Sequence, residues 1–207
     1  MRRIFGRHCI VDERDQEYLL STIETTRTVR KWRRGPMTDQ GSIPSCVGHG
    51  WFHLLTASPV RQNPIDPDVL YYLAQKGFDE WEGEDYPGTS VRAVAKLLLY
   101  VKKIKSYKWS FGLETAVPHL LEKGPLVAGF DWHEGMSRPD RNNIIRPTGR
   151  LEGGHCILIY GANVKTGFLY IQNSWGLSWG NKGTARLSFE DAEKLIRRGG
   201  ECCTPIE

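Results

Sequence analysis

The chain reads as an α+β protein whose helices and strands are segregated into two lobes. Three observations predict this. Helical patterns dominate residues 46–123, strand-like apolar runs dominate residues 126–189, and Gly124-Pro125 separates the two textures. An arm over residues 1–35 is expected to precede a domain over residues 36–207. Within that domain a helical lobe covers about 36–124 and a β-rich lobe about 125–207, and a substrate belongs in the groove between them. A length of 207 residues suits one domain or two tightly packed lobes.

The elements follow in order. Residues 1–35 read as extended or irregular. Gly35-Pro36 and Asp39-Gln40-Gly41 are turn chemistry, and Pro44-Ser45 leads into a helix from Cys46 to about Ala57. Asp66-Pro67-Asp68 opens a second helix through Ala74, because Asp caps and Pro tolerates a first turn. Thr89-Ser90 starts a third from Val91 to about Val101, with Val91, Val94, Ala95, Leu98 and Val101 on one side as a core face. Leu113 to Lys123 is a fourth helix limited by Pro118. Leu126–Trp132, Cys156–Tyr160, Phe168–Gln172 and Thr184–Phe189 read as strands between Gly and Asn turns.

Composition narrows the class. With 40% hydrophobic and 25% charged residues the chain is an ordinary globular one, neither disordered nor fibrous. The net charge of +4 is mild. Its densest part, Arg27 to Arg34, reads as a solvated arm rather than a nucleic-acid surface, since no binding motif accompanies it. No apolar run approaches the roughly 20 residues that span a bilayer, and charges interrupt the N-terminus before a signal-like stretch forms, so a cytoplasmic protein is the expectation. Cys9, Cys46, Cys156 and the Cys202-Cys203 pair are odd in number and show no paired or Cys-x-x-Cys spacing, in keeping with that expectation.

Three segments carry chemistry. In Asp39 to Cys46, Cys46 stands at a helix start, where unpaired N–H groups favour a thiolate, and the Gln40 amide can donate to a developing oxyanion. In Glu152-Gly153-Gly154-His155, a His flanked by glycines at a strand start can hold its ring over a cleft. In Asn173-Ser174-Trp175-Gly176-Leu177-Ser178-Trp179-Gly180, an amide can accept from the imidazole N–H under a Trp175 roof.

Together the segments resemble the papain family of cysteine peptidases. Gln40-Gly41-Ser42-Ile43-Pro44-Ser45-Cys46 matches its Gln-Gly-x-x-x-Ser-Cys pattern. Gly154-His155 matches its Gly-His, and Asn173 through Gly176, Trp179 and Gly180 to Gly183 matches its Asn-Ser-Trp-Gly-x-x-Trp-Gly-x-x-Gly. The resemblance implies a papain-like two-lobed fold and a peptidase acting on peptide or protein substrates without a cofactor or metal. It makes Cys46 the nucleophile, His155 its base, Asn173 the orienter and Gln40 an oxyanion donor. Substrate contacts fall on Gly88, Thr89 and Ser90 of the Tyr86 to Ser90 loop, and on Gly154 and Trp175. Thr89 and Ser90 read equally well as a plain helix cap.

The chain also departs from the pattern. Ile43 stands where the family commonly has a half-cystine, and Val47 where it usually has Trp. His155 and Asn173 follow Cys46 by 109 and 127 residues, against roughly 130–150 in the papain group. This implies a compact member of the bacterial or phage kind, with no long inhibitory propeptide, whose restraint is left open. Two other readings stand beside it. Cys46, His49 and His53 share a helix face and can be written as a zinc set, with His8, His119 or His133 as a fourth ligand. Val47 and the missing propeptide suit a non-catalytic papain-like binding protein.

Overall fold

The computed structural model describes residues 3–8, 13–63, 65–81 and 86–206; Cys9 lies outside them. In chain order the strands and helices are β1 (Arg7–His8), β2 (Val29–Lys31), α1 (Cys46–Thr56), α2 (Pro67–Gly77), β3 (Thr89–Ser90), α3 (Val91–Tyr100), β4 (Ser106–Ser110), α4 (Leu113–Glu122), β5 (Leu126–His133), β6 (Ile144–Ile145), β7 (Leu151–Asn163), β8 (Phe168–Gln172), β9 (Thr184–Ser188), α5 (Phe189–Arg197) and β10 (Glu201–Ile206). The architecture is α+β and papain-like. A large sheet runs β4-β10-β5-β7-β8-β9-β6, with β2 added to the end of β7. Its neighbours are antiparallel except β6 and β9.

Two apolar cores flank the groove. One holds α1, α2 and α3 against the inner face of β5 and β7, with Trp51, Leu54, Leu70, Val94, Leu98 and Leu158 buried together. The other packs α4 and α5 on the opposite face with Phe130, Trp132, Trp175 and Trp179. The fourth helix therefore shares its core with the sheet, although it precedes β5 to β10 in sequence.

Helix α1 is buried along nearly its whole length. Glycine inside a helix costs about 1 kcal/mol relative to alanine, yet α1 carries two. A Cβ on Gly48 would lie 2.0 Å from the Pro67 carbonyl oxygen, and one on Gly50 would lie 2.7 Å from the Cys156 sulfur. The glycines let α1 press simultaneously on α2 and β7, which seats Cys46 against the strand carrying His155.

The expected helices are present with small shifts of boundary. Helix α2 runs three residues past Ala74, and α4 continues through Pro118 to Glu122. Val101 is exposed and lies outside the buried face of α3. Strand β7 extends five residues before Cys156 and three beyond Tyr160, because it pairs with β5, β8 and β2 along different parts of its length.

Helix α2 is held at its start by the Asp66 carboxylate, which accepts from the Asp68 and Val69 amides at 2.9 and 3.2 Å. Asp66→Ala is expected to lower unfolding stability by about 1 kcal/mol. Urea denaturation at pH 7 checks this, and an unchanged midpoint would show that the cap carries no weight here.

Candidate active site

Cys46 opens α1 behind Ser45, whose hydroxyl donates to Asp68 at 2.6 Å. The thiol is fully buried and faces the backbone N–H groups of Val47, Cys156 and Gly6. His155 is on β7, and the amide of its neighbour Cys156 is among the groups that point at the sulfur. The His155 Nε2 and Asn173 Oδ1 atoms are 2.7 Å apart, and the same oxygen accepts from the Ser174 amide at 2.8 Å. His155 Nδ1 is buried with no hydrogen-bond partner. The imidazole is boxed by aromatic rings, with Trp132 at 4.7 Å, Trp175 at 4.9 Å and Phe5 at 5.7 Å between centroids. Trp175 thus covers the His155–Asn173 pair, and Trp132 backs it from β5.

Gln40 is fixed from two sides. Its side-chain oxygen accepts from Ser174 Oγ at 2.7 Å, and its amide nitrogen donates to Ile43 O at 2.8 Å and to Ile4 O at 3.2 Å. The last bond reveals what the sequence reading missed. Residues 3–8 run through the groove between the two cores. Arg3 pairs with Asp39 and donates to the Trp175 carbonyl. Phe5 packs on His155, and Gly6 presents its N–H to the Cys46 thiol. The Thr89 amide donates to Gly6 O at 2.8 Å, and β1 pairs with β3 in parallel.

Missing side chains make this close approach possible. An ideal Cβ would meet Pro44 O at 1.8 Å on Gly6, Gly6 O at 2.5 Å on Gly88, and Arg7 O at 2.1 Å on Gly154. Gly88 also has φ +105, a conformation that other residues rarely adopt. The backbones of Gly88 and Thr89 therefore lie against Gly6 and Arg7. Their neighbouring side chains are structural: Thr89 Oγ1 donates to Asp79 at 3.0 Å, and Ser90 caps α3 by accepting from the Ala93 amide. Beyond Phe5 and Trp175 the groove widens into a pocket of about 960 Å³ walled by Glu134, Arg138, Glu152 and Trp179.

Burial sets the electrostatics. It pushes the Cys46 thiol up to about 11, against the N–H groups that would lower it. It also pushes His155 down to about 4, against the Asn173 hydrogen bond. In both groups burial thus disfavours the charged form, opposing the helix start that favours a thiolate. The helix-face histidines of the zinc reading turn away from Cys46. His49 Nδ1 and His53 Nε2 meet the Thr38 hydroxyl at 2.7 and 2.8 Å, and His49 Nε2 meets Asp68 at 3.3 Å. Among the described residues no group of three His, Cys, Asp or Glu side chains is placed to hold a metal.

A family model described as papain family cysteine protease matches residues 65–202, more than half of the chain. The chain belongs to the papain family of cysteine proteases. The matched range contains His155 and Asn173 and begins after Cys46. The chain is 36% identical over 70 residues to cathepsin B-like cysteine proteinase 3 of Ostertagia ostertagi, a stretch covering 33% of this chain and 40% of that protein. In structure it resembles xylellain, a cysteine protease from Xylella fastidiosa, with a TM-score of 0.72 and 16% identity over 98% of this chain and 96% of that one. A procathepsin B from Trypanosoma congolense gives 0.65 and 12% over 97% and 86%. At such identities the structural likeness speaks for the papain fold alone. No helix among the described residues is long and apolar enough to cross a membrane.

Two outcomes follow from the buried groups. His53, His119 and His155 are pushed down to about 3, 4 and 4 by burial. Between their ordinary value of 6.5 and those values the unfolded chain binds more protons, so stability falls as pH drops through that window. Melting temperature should decline from pH 7 to pH 4.5, less steeply in His119→Gln; a flat profile would contradict neutral burial. Secondly, Arg3→Ala should quicken alkylation of Cys46 by iodoacetamide at pH 7 by loosening residues 3–8. Mass-spectrometric mapping reads this, and an unchanged rate would mean that Arg3 does not hold the groove shut.

Proposed function

We propose that this papain-family chain is a cysteine peptidase that cleaves peptide bonds through a Cys46 acyl-enzyme. The observation that carries the reading is the His155–Asn173 bond. By engaging Nε2 it leaves Nδ1 without a hydrogen-bond partner, and that nitrogen is the one read as the base for Cys46. With the groove open, water reaches the pair, and the N–H groups at the start of α1 favour a thiolate beside an imidazolium. The sulfur attacks the substrate carbonyl carbon, and the C=O π electrons move to oxygen. The Gln40 amide donates to that oxyanion. Collapse expels the leaving nitrogen, which takes its proton from His155. The now neutral imidazole then draws a proton from water as it attacks the thioester, and Cys46 departs as thiolate.

The lobes proposed for residues 36–124 and 125–207 supply the two walls of the groove, with Gly88, Gly154 and Trp175 along the path of the substrate. Residues 3–8 occupy that path unproductively. The atom that they offer the sulfur is an N–H, which it cannot attack, and the Ile4 carbonyl takes up the Gln40 donor. The described chain is thus read as a closed form. A reducing compartment such as the cytoplasm suits the free thiols of Cys46, Cys156, Cys202 and Cys203.

Cys46→Ala and His155→Ala should each remove nearly all hydrolysis of a peptide-amide library, while Asn173→Ala slows it. Gln40→Ala should lower the acylation rate by on the order of 10²–10³-fold. Steady-state kinetics with melting temperatures alongside decides the matter. Peptide binding without turnover in wild-type protein, with residues 3–8 displaced, would instead establish a non-catalytic binding protein.

A further inference from the structure

The densest run of positive charge in the chain, Arg27 to Arg34, takes no part in the groove. Its start is compensated, since Arg27 pairs with Glu122 at 3.5 Å. Its middle is laid on aromatic rings. The Arg30 guanidinium carbon lies 3.6 Å from the Trp32 ring centre, and the Lys31 ammonium nitrogen 4.0 Å from that of Tyr170. The end of the run differs. Arg33 and Arg34 join Arg61, from the turn after α1, around a recess of about 390 Å³ completed by Gly35, Thr56 and Ser58. No Asp or Glu lines it, and among the described residues none of the three guanidiniums makes an ion pair.

A simpler role for these cations would be to answer the negative end of α1. The hydrogen bonds speak against it. The Phe52 and His53 carbonyls accept from the Thr56 hydroxyl, His53 and Leu54 from the Ala57 amide, Leu55 from the Gln62 amide and Ala57 from the Arg61 amide. The last turn is thus satisfied by other donors. The recess is also rigid. The Ser58 amide donates to the Arg33 carbonyl at 2.8 Å, and a Cβ on Gly35 would lie 2.0 Å from Thr56 Oγ1, so the two walls are pressed together. Arg61 Nε donates to Ser58 Oγ at 2.9 Å, and the Arg34 guanidinium lies 5.2 Å from the Tyr160 ring centre. Two of the three heads are therefore positioned without an anion. Like charges gathered around one small space repel one another, and a multiply charged anion between them reverses the sign of that energy.

We propose that this recess binds the phosphate group of a small phosphomonoester, with Arg33, Arg34 and Arg61 as its ligands. A monoester carries a charge of about −1.5 to −2 near pH 7 and three strong acceptor oxygens, which matches three guanidinium forks better than a carboxylate does. The volume lies at the low end of the roughly 300–1,000 Å³ of small-ligand sites, enough for the phosphate and a short organic group. The site opens at the far end of the helix that begins with Cys46, and binding there needs no catalysis.

Titration calorimetry of the full chain with glycerol phosphate, at neutral pH and low ionic strength, tests this. One saturable site is expected, and Arg34→Gln and Arg61→Asn should each weaken it about tenfold or more. Asn is chosen at Arg61 because it tolerates the left-handed conformation found there, φ +50. Should Arg34→Gln lower the melting temperature, the exposed Arg33→Gln serves in its place and should weaken binding alike. Arg27→Gln, in the same basic run but outside the recess, should change the affinity by no more than about twofold. Dimethyl phosphate, a monoanion, should bind much more weakly than the monoester. Absence of saturation, an equal loss in Arg27→Gln, or equal binding of dimethyl phosphate would each reduce the cluster to a general positive field and overturn the proposal. Binding of a phosphoserine peptide where glycerol phosphate fails would overturn it as well, in favour of a phosphorylated protein partner.

Discussion

Exclusion of water from the Cys46–His155 pair is the constraint on which the rest of the site depends. A helix start favours a charge by about 0.3–1 kcal/mol at exposed positions and up to about 2 in partly buried ones. Here desolvation works the other way and prevails, raising the thiol from 9.0 to about 11, a difference of about 3 kcal/mol between its two forms. Phe5 packed on His155 and the Gly6 N–H at the Cys46 thiol contribute to that burial. The aromatic box of Trp132 and Trp175 is part of the fold and stays, so only the open side of the groove is at issue.

The seal is a matter of backbone against backbone. Gly6 passes the Pro44 carbonyl, Gly88 passes Gly6, and Gly154 passes Arg7, each at distances that a single Cβ would forbid. At Gly6 the contact also requires that the segment itself carry no side chain, since a Cβ there would meet the Pro44 carbonyl oxygen at 1.8 Å. Side chains anchor the segment at its two ends, Arg3 on Asp39 and Arg7 on Glu201.

The parts legible in the sequence were those written in short segments. Gln40 to Cys46, Gly154-His155 and Asn173 to Gly183 each have a local reading, and the fold brings all three to one groove. Residues 3–8 had none, because their role is set by partners as remote as Asp39, Thr89, Gly154 and Glu201. The run Gly-Gly before His155 was visible as room for a ring; that it is also room for another backbone depends on long-range pairing. Strand β10 was hidden by Pro205, which argues against a central strand. The structure accommodates it because β5 pairs only with Glu201 to Cys203, so Pro205 faces β4 alone. Helix α5 is only nine residues long and follows β9 without a linker, capped by Ser188, so a strand reading through Phe189 ran into its first turn.

The two buried pairs also constrain how the groove can open. Lifting residues 3–8 hydrates Cys46 and His155, which helps to charge them, but it strips Arg7 from Glu201, and removing one partner of a buried ion pair costs about 3–5 kcal/mol. The nearby Arg92–Asp15 pair does not relieve this, because the unfavourable effect of Asp15 on the Glu201 carboxylate exceeds the favourable one of Arg92. Any chain entering the groove competes with a segment already tethered to it, at an effective concentration in the millimolar range for a short flexible connection. Displacement therefore has to draw on the whole length of the groove, from the pocket beside Trp175 to the Gly88–Thr89 edge, so that an extended chain making all of these contacts at once outweighs the six residues that hold it closed.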